Sequence, residues 1–264
     1  MKKTFKVASI QMDCECGNVK ANLKKARTLL VQAKENGAEL AVLPELFNVG
    51  YNLDMLKDMD YNFSETSEEI SEISKELSIC IVAGVFEKFN EKYYNSVFVY
   101  NNHGEIMEKY RKINLFSLSH EKELFHPGNE IKIFEINNIK FGILICYDIR
   151  FPELSRKYFK EGCSALVISS AFPFPRLEHW NILLKARAIE NQAYVIASNR
   201  IGKDGDMQFA GNSCIIDPWG NVSGILDGSN ENFLVQDIDL NELARVRELI
   251  PCGKDSIWLD SVLR

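Results

Sequence analysis

The sequence predicts a layered α/β fold. Short apolar runs typical of buried parallel strands alternate along the chain with amphipathic helical segments. Two further pairs of strands flank short turns, which indicates added β-hairpins. The 264 residues can bury a full hydrophobic core, and we find no repeat, low-complexity tract or linker. We therefore expect residues 1–264 to form a single domain.

The first half of the chain predicts two strand–helix units followed by a hairpin. Leucine and alanine recur at helical spacing in the first helix, and Gly37 is a natural residue to end it. The predicted elements, in order, are a strand at Phe5–Met12, a helix at Asn18–Asn36, a strand at Leu40–Leu43, a helix at Ser64–Ser78, a strand at Ile79–Val85, and hairpin strands at Tyr94–Tyr100 and Glu105–Tyr110.

The second half predicts another hairpin and another alternation of strands and helices. Pro152 fits the first turn of a helix, where its missing N–H is tolerated. Residues 250–264 show no clear periodicity and are a candidate C-terminal arm for packing on a partner subunit. The predicted elements are strands at Ile131–Ile136 and Ile139–Ile145, a helix at Pro152–Glu161, a strand at Ala165–Ser169, a helix at His179–Asn191, strands at Tyr194–Ser198, Ser213–Ile216 and Phe233–Ile238, and a last helix from Asp239.

Composition excludes several classes of protein. The net charge of −6 argues against broad binding of nucleic acid, which needs a basic surface. No apolar run approaches the roughly 18 residues that suggest a membrane span, so we expect no membrane association. The seven cysteines are odd in number and scattered, unlike a secreted disulfide framework, and we expect a cytoplasmic protein.

The sequence predicts neither a metal site nor a cofactor. Cys14 and Cys16 could supply half of a metal site, but no second pair stands at ligand spacing. The chain also has no P-loop and no dinucleotide-binding glycine fingerprint.

Three strand-like segments end in a chemically reactive side chain. Glu45 follows the strand at 40–43, Lys112 follows the first hairpin, and Cys146 follows the strand at 139–145. A thiol, a carboxylate and an amine that meet at strand ends could attack a carbonyl, move protons and hold an oxyanion. Each residue also has a simpler interpretation: Cys146 as a core cysteine, Glu45 as a capping or surface acid, and Lys112 as a solvated charge.

Together these segments resemble the nitrilase (carbon–nitrogen hydrolase) superfamily over nearly the whole chain. Five short stretches occur in the family's order, which makes the signal specific although each stretch alone is weak. The resemblance implies a four-layer α–β–β–α sandwich and a homodimer or higher homo-oligomer. The matching stretches are Leu43-Pro-Glu45, Lys109-Tyr-Arg-Lys112 with Leu115-Phe116, Gly142 to Glu153, Lys185 to Asn191, and Gly211-Asn-Ser213 through Asp217-Pro-Trp-Gly220.

The resemblance also implies the site residues. The family's Glu–Lys–Cys triad falls on Glu45, Lys112 and Cys146. A second family glutamate precedes the segment Phe125-His-Pro-Gly128, and spacing favours Glu121, with Glu123 as the alternative.

The implied chemistry is hydrolysis of a small amide through a cysteine thioester, with release of ammonia. Glu45 would act as the general base for Cys146, and Lys112 with the backbone N–H of Tyr147 would hold the oxyanion.

Two stretches, 146–153 and 179–191, look most like the omega-amidase branch, whose substrates are short dicarboxylic acid monoamides such as 2-oxoglutaramate and succinamate. Arg150 is then a candidate to bind the distal carboxylate, and its alternative role is a salt bridge to Glu153 or Asp148.

Three aromatic residues, Tyr51, Phe116 and Phe172, are candidates to line the pocket, or else belong to the core or a dimer interface. The chain departs from the branch in its tail, at 251–258, and the loop at 172–176 is where branches differ.

Other functions stay open at this point. The same triad would serve an N-carbamoyl-amine amidohydrolase, an aliphatic amidase or a nitrilase. A Cys–His hydrolase would need His120 or His126 near Cys146. A catalytically inert binding or regulatory protein would have no need for all three triad residues.

Overall fold

The computed structural model describes residues 4–59 and 61–256. Within them the strands are β1 Thr4–Gln11, β2 Leu40–Val42, β3 Cys80–Phe89, β4 Lys92–Tyr100, β5 Ile106–Arg111, β6 Ile133–Ile136, β7 Ile139–Ile145, β8 Ala165–Ser170, β9 Tyr194–Asn199, β10 Lys203–Asp204, β11 Met207–Gln208, β12 Cys214–Ile216, β13 Val222–Ile225 and β14 Asn232–Asp239. The helices are α1 Val19–Glu35, α2 Leu53–Lys57, α3 Phe63–Leu77, α4 Glu121–Leu124, α5 Pro152–Lys160, α6 Leu177–Asn191, α7 Leu240–Leu249 and α8 Cys252–Asp255, with 3₁₀ turns at Ser117–Ser119, Cys146–Arg150 and Phe174–Arg176.

Two six-stranded sheets form the frame of the molecule. The first has the order β14-β1-β2-β3-β4-β5, and the second has the order β13-β12-β9-β8-β7-β6. In the first sheet β1, β2 and β3 are mutually parallel, and in the second β7, β8 and β9 are. The remaining neighbours within both sheets pair antiparallel.

The two sheets pack face to face. Val7 and Val82 of the first sheet share one apolar cluster with Ile143 and Val167 of the second. Serine hydroxyls also join the sheets: Ser169 Oγ donates to the Leu43 carbonyl at 2.8 Å. Since the opposite face of each β-strand points outward, every sheet needs a second covering layer.

Helices supply those outer layers. Residues of α1 and α3 form a cluster with the outward-facing residues of the first sheet. On the second sheet, Tyr158 of α5 donates its hydroxyl to the Ile143 carbonyl at 2.6 Å, and α6 contacts α5 and β9. The layers are therefore α–β–β–α, as the family resemblance implied.

The predicted elements are confirmed, with shifts of a few residues at their ends. Helix α1 begins after Asn18, whose side chain accepts from the Ala21 N–H, and it ends before Gly37 at φ +90°. The hairpin predicted between the strands at 131–136 and 139–145 is confirmed, and its two turn residues, Asn137 and Asn138, both adopt left-handed backbone angles.

The sequence prediction missed several short elements. Strand β3 runs on to Phe89 because Asn90 and Glu91 adopt left-handed angles and turn the chain directly into β4. No glycine marked this turn. Helices α2, α4 and α8, strand β13 and the β10–β11 hairpin are likewise too short to show a clear period.

The C-terminal arm stays a prediction. Helix α8 lies within its described part, whereas residues 257–264 fall outside the described residues. None of the helices that the structure describes is both long and apolar enough to span a bilayer.

The topology brings several strand ends to one edge. Strand β5 is antiparallel to β4, which is antiparallel to β3, so β5 runs in the same direction as β2. The residues that follow β2 and β5 therefore emerge at the same end of the first sheet.

Candidate active site

A buried ion pair joins the residues that follow β2 and β5. The Lys112 Nζ atom lies 2.7 Å from Glu45 Oε1, and both side chains are fully buried. Strand β2 ends at Val42, and Pro44, which has no N–H for a strand ladder, directly precedes Glu45.

A second carboxylate contacts the same ammonium. Glu121, the first residue of α4, places Oε1 2.7 Å from Lys112 Nζ and accepts the Phe116 N–H on Oε2 at 2.7 Å. The Tyr51 hydroxyl also donates to Glu121. Glu123, the alternative in the sequence, is 59% exposed and contacts His120. The structure brings Glu121, not Glu123, to the buried lysine.

Electrostatics keep this lysine charged. Burial opposes the charge on Lys112, but the carboxylates of Glu121 and Glu45 outweigh it and hold the Lys112 pKa above its usual value. Burial raises the pKa of Glu121, while Lys112 opposes that rise. Removal of Lys112 would leave two buried carboxylates without their cation, which is strongly destabilising.

Glu45 is held by groups that sequence reasoning missed. Asn95 Nδ2 donates to Glu45 Oε1 at 2.6 Å, and the Ala171 backbone N–H donates to Oε2 at 2.8 Å. The available signal for Asn95 was an amide beside Ser96, where two buried polar residues interrupt the aromatic and apolar residues of strand β4. Both contacts fix the orientation of the Glu45 carboxylate.

Cys146 lies at the turn where β7 passes into a 3₁₀ turn. Its φ of 41° is unusual for a residue other than glycine, and its side chain reaches a pocket while the residue is only 7% exposed. Burial raises the pKa of the Cys146 thiol; the charge of Glu45 adds to the rise and Lys112 opposes it. The thiol is therefore protonated at neutral pH.

The pocket beside Cys146 is small, with a cavity volume of about 20 Å³. All the candidate pocket residues line it: Tyr51, Phe116, Tyr147, Arg150 and Phe172. Four lining residues were not singled out in the sequence: Ala171, Pro173, Arg176 and Met207. No histidine of the described chain lines this pocket. The alternative of a Cys–His hydrolase therefore lacks an imidazole beside Cys146.

Arg150 does not form the salt bridge considered as its alternative role. Its Nη2 atom lies 3.1 Å from His179 Nδ1, and its guanidinium lies 5.4 Å from the centre of the Phe172 ring. In the part of the chain that the structure describes, it pairs with neither Asp148 nor Glu153. Asp148 is instead occupied inside the protein, where it accepts from Tyr110, Asn114 and the backbone of Ile145.

A buried cation supports the Tyr51 wall of the pocket. Arg200 is fully buried and pairs with Asp204 at 2.5 Å, and Asp204 Oδ2 accepts the Tyr51 N–H at 2.6 Å. The Arg200 guanidinium also lies 4.2 Å from the centre of the Phe209 ring, which meets the Tyr51 ring edge-on. This network fixes the backbone of the residue that donates to Glu121.

The two N-terminal cysteines are separated by their surroundings. Cys14 is buried near Arg200, and burial raises its pKa to about 12. Cys16 lies 3.5 Å from the Met55 sulfur. Among residues 4–59 and 61–256, no group of three or more His, Cys, Asp or Glu side chains is arranged to hold a metal ion.

Comparison with known proteins connects this geometry to a family. The sequence matches the family described as carbon-nitrogen hydrolase over residues 6–248. It is 41% identical over 254 residues to 2-oxoglutaramate amidase of Bacillus subtilis (strain 168), covering 94% of this chain and 96% of that protein. It is 35% identical over 263 residues to omega-amidase NIT2 of Mus musculus, covering 95% and 94%.

A solved structure agrees in fold. Nit3 of Saccharomyces cerevisiae, described as a member of branch 10 of the nitrilase superfamily, matches with a TM-score of 0.88 and 28% sequence identity, covering 96% of each chain. The resemblance and the fold class predicted from the sequence are confirmed. The chain belongs to the carbon-nitrogen hydrolase family of the nitrilase superfamily.

Proposed function

We propose that this protein is a thiol-dependent omega-amidase, which releases ammonia from short dicarboxylic acid monoamides such as 2-oxoglutaramate and succinamate. The observation that carries the proposal is the buried Glu45–Lys112–Glu121 cluster beside a small pocket that contains Cys146. The likeness to 2-oxoglutaramate amidase, at 41% identity, supports the substrate class.

In the first step Cys146 attacks the amide carbon. Because burial raises the pKa of its thiol, the sulfur needs a base, and Glu45 takes the proton. A carbon–sulfur bond forms, and the carbonyl π electrons move to oxygen. The contacts from Asn95 and Ala171 keep the Glu45 carboxylate in place for this transfer.

The negative oxygen then needs stabilisation. The Lys112 ammonium supplies a positive charge, and the Tyr147 backbone N–H supplies a second donor, because it lies in the first turn of the 3₁₀ segment Cys146–Arg150, where N–H groups lack a partner within the turn. Each donor of this kind is worth about 3–4 kcal/mol of barrier.

The intermediate collapses when Glu45 returns its proton to the amide nitrogen. The carbon–nitrogen bond breaks, ammonia leaves, and Cys146 carries a thioester. Glu45 next takes a proton from water, which attacks the thioester; the carbon–sulfur bond breaks, the acid is released, and the proton restores the thiol.

Glu121 and Arg150 have supporting roles in the proposal. Glu121 holds Lys112 from the side opposite Glu45 and is itself oriented by Tyr51 and the Phe116 N–H. Arg150, held by His179 in the pocket wall, binds the distal carboxylate of the substrate.

We further propose that the protein acts in the reducing cytoplasm as a homodimer or higher homo-oligomer. All seven cysteines are free thiols, which suits a reducing compartment. Size-exclusion chromatography with light scattering tests the assembly, and a monomer at micromolar concentration would contradict it.

An ammonia-release assay tests the activity. The panel contains 2-oxoglutaramate, succinamate, glutamine, an N-carbamoyl-amine and an aliphatic nitrile. We expect 2-oxoglutaramate or succinamate to give the highest kcat/KM. Preference for the carbamoyl-amine or the nitrile would overturn the substrate class while leaving the thiol chemistry.

Mass spectrometry of the quenched reaction tests the thiol step. We expect an acyl adduct on Cys146 with the preferred amide, and none in a Cys146→Ala variant. Cys163→Ala is the matched control, because Cys163 is also buried but lies outside the pocket. Absence of an adduct and of ammonia with every amide would favour an inert binding protein.

A further inference from the structure

The pocket contains a second arginine that the steps above do not use. Arg176 ends the 3₁₀ turn Phe174–Arg176, is half-buried, and lines the pocket together with Cys146. Its guanidinium lies 5.4 Å from the centre of the Phe116 ring. Arg150 has the same relation to Phe172, also at 5.4 Å. The pocket therefore presents two guanidinium groups, each resting on an aromatic ring.

The charged side chains that line the pocket are all positive. The lining residues include these two arginines and no aspartate or glutamate. Neither Arg150 nor Arg176 forms an ion pair with a carboxylate of the described chain. Aromatic stacking holds a planar guanidinium by its face and leaves the N–H edge available to an anion.

The walls that hold the two cations come from different parts of the fold. Phe116 belongs to the loop that follows Lys112, whereas Phe172 follows β8 of the second sheet. A ligand between these walls can meet both arginines. A carboxylate has two oxygens and about four lone-pair sites, which is enough to accept from both.

We propose that Arg176 acts with Arg150 as a two-arginine carboxylate clamp that selects amides with an anionic group at the end away from the amide. The proposal rests on the proposed function, because it assigns the far end of the same substrate. It also predicts a preference for 2-oxoglutaramate over glutamine. The oxo group beside the carboxylate of 2-oxoglutaramate is uncharged, whereas the ammonium at the same position in glutamine is repelled by the two arginines.

Turnover of a matched pair of amides tests the clamp. Succinamate and butanamide have the same chain length, but only succinamate carries the distal carboxylate. For Arg176→Gln we expect kcat/KM for succinamate to fall about 10- to 100-fold, the range for losing a hydrogen bond to a charged group. The value for butanamide should change less than about 2-fold, since that amide has no distal carboxylate for Arg176 to bind.

Two further variants control for structural effects. Arg156→Gln removes an arginine that also stacks on a phenylalanine, Phe159, but lies outside the pocket lining, and it should leave both substrates unaffected. Arg176→Lys keeps the charge without the planar fork and should recover part of the succinamate activity. An equal loss for both amides in Arg176→Gln, or a wild type that hydrolyses both amides equally well, would overturn the clamp.

A binding measurement separates the clamp from the amidase proposal. Succinate should protect Cys146 from alkylation by N-ethylmaleimide, followed by peptide mass spectrometry, and Arg176→Gln should raise the half-protecting concentration about 10- to 100-fold. If the wild type releases no ammonia from any amide but shows this arginine-dependent protection, the amidase proposal fails and the clamp stands. Protection that is unchanged in Arg176→Gln would overturn the clamp even in an active enzyme.

Discussion

Gly84 lies so close to Glu45 that a methyl group on Gly84 would be 2.8 Å from the Glu45 Cα atom. The same methyl group would be 2.5 Å from the Pro44 carbonyl oxygen and 3.0 Å from Ser169 Cβ. Two of these three neighbours are backbone atoms of the turn that carries Glu45. Strand β3 therefore fixes the position of this carboxylate by direct contact.

We expect Gly84→Ala to lower kcat by about 100-fold, because a displacement near 1 Å is costly in an active site. Overpacking should also lower the free energy of unfolding by about 1–3 kcal/mol. Ammonia release and urea unfolding measure the two effects. Gly224→Ala is the control, since its methyl group would meet only the Leu234 and Gln236 side chains. Full activity of Gly84→Ala would show that Glu45 tolerates the shift.

Removing the buried ammonium should harm both activity and stability. In Lys112→Met, two buried carboxylates lose their only shared cation among the described residues. We expect kcat to fall about 1,000-fold and the free energy of unfolding at pH 7 to fall by about 3–5 kcal/mol. The stability loss should shrink as the pH falls, because burial raises the pKa of Glu121 and its protonated form no longer needs the cation. The exposed Lys122→Met is the control, and a wild-type kcat in Lys112→Met contradicts the oxyanion role.

Glu121 and Glu123 provide a matched comparison within one short helix. Glu121→Gln keeps the shape of the side chain but removes the charge beside Lys112, and we expect kcat to fall about 10- to 100-fold through misplacement of that ammonium. Glu123→Gln changes an exposed residue and should keep kcat within about 2-fold. Steady-state kinetics with the preferred amide decides between them. The reverse order of effects would assign the second glutamate to Glu123.

The raised thiol pKa predicts a distinctive pH profile. Burial is the largest cause of the rise, so it persists when Glu45 is replaced. In Glu45→Gln we expect the alkylation rate of Cys146 by N-ethylmaleimide to increase with pH up to at least 9.0, the ordinary value for a cysteine. A plateau in this rate below pH 8 would mean that a thiolate already exists without the base.

Glu87 predicts acid sensitivity of the fold. Burial raises its pKa, but hydrogen bonds from Arg111, Ser96 and Lys109 outweigh burial and hold the pKa below the usual 4.5. A lowered pKa in the folded state stabilises the protein above pH 4.5, and this contribution is lost as the pH falls through the folded-state value. Glu87→Gln should lower the free energy of unfolding by about 1.5–3 kcal/mol at pH 7.

The same comparison should show a smaller difference as the pH falls below 4.5, measured by urea unfolding at several pH values. Glu91→Gln, an exposed change in the neighbouring turn, is the control. A difference that stays constant with pH would mean that the ionised form of Glu87 contributes no stability.

The sequence alone locates residues whose role depends on local pattern. Glu45 and Cys146 stand at the ends of apolar runs, and strand ends in a layered α/β protein meet at an edge. Lys112 also follows a predicted strand, but a lysine after a hairpin resembles a solvated charge, and Glu121 has no local signal at all. Their place in the site came from the resemblance of ordered stretches.

Residues that act through distant contacts were missed for a physical reason. Asn95 reaches Glu45 across 50 positions, and Asp204 reaches Tyr51 across 153. No periodicity within one element carries information about such pairs. Arg176 was missed likewise, although its loop at 172–176 was marked as variable, because its orientation depends on Phe116 in another layer.

The face-to-face sheets have a consequence for how this protein fails. Glu45 and Lys112 follow strands of the first sheet, whereas Cys146 follows a strand of the second. Hydroxyls such as that of Ser169 hold the two sheets in register. A small displacement of one sheet relative to the other would separate Cys146 from Glu45 and Lys112, while the hydrogen bonds within each sheet stayed intact. On heating, the proposed amidase activity should therefore be lost at a lower temperature than the far-UV circular dichroism signal.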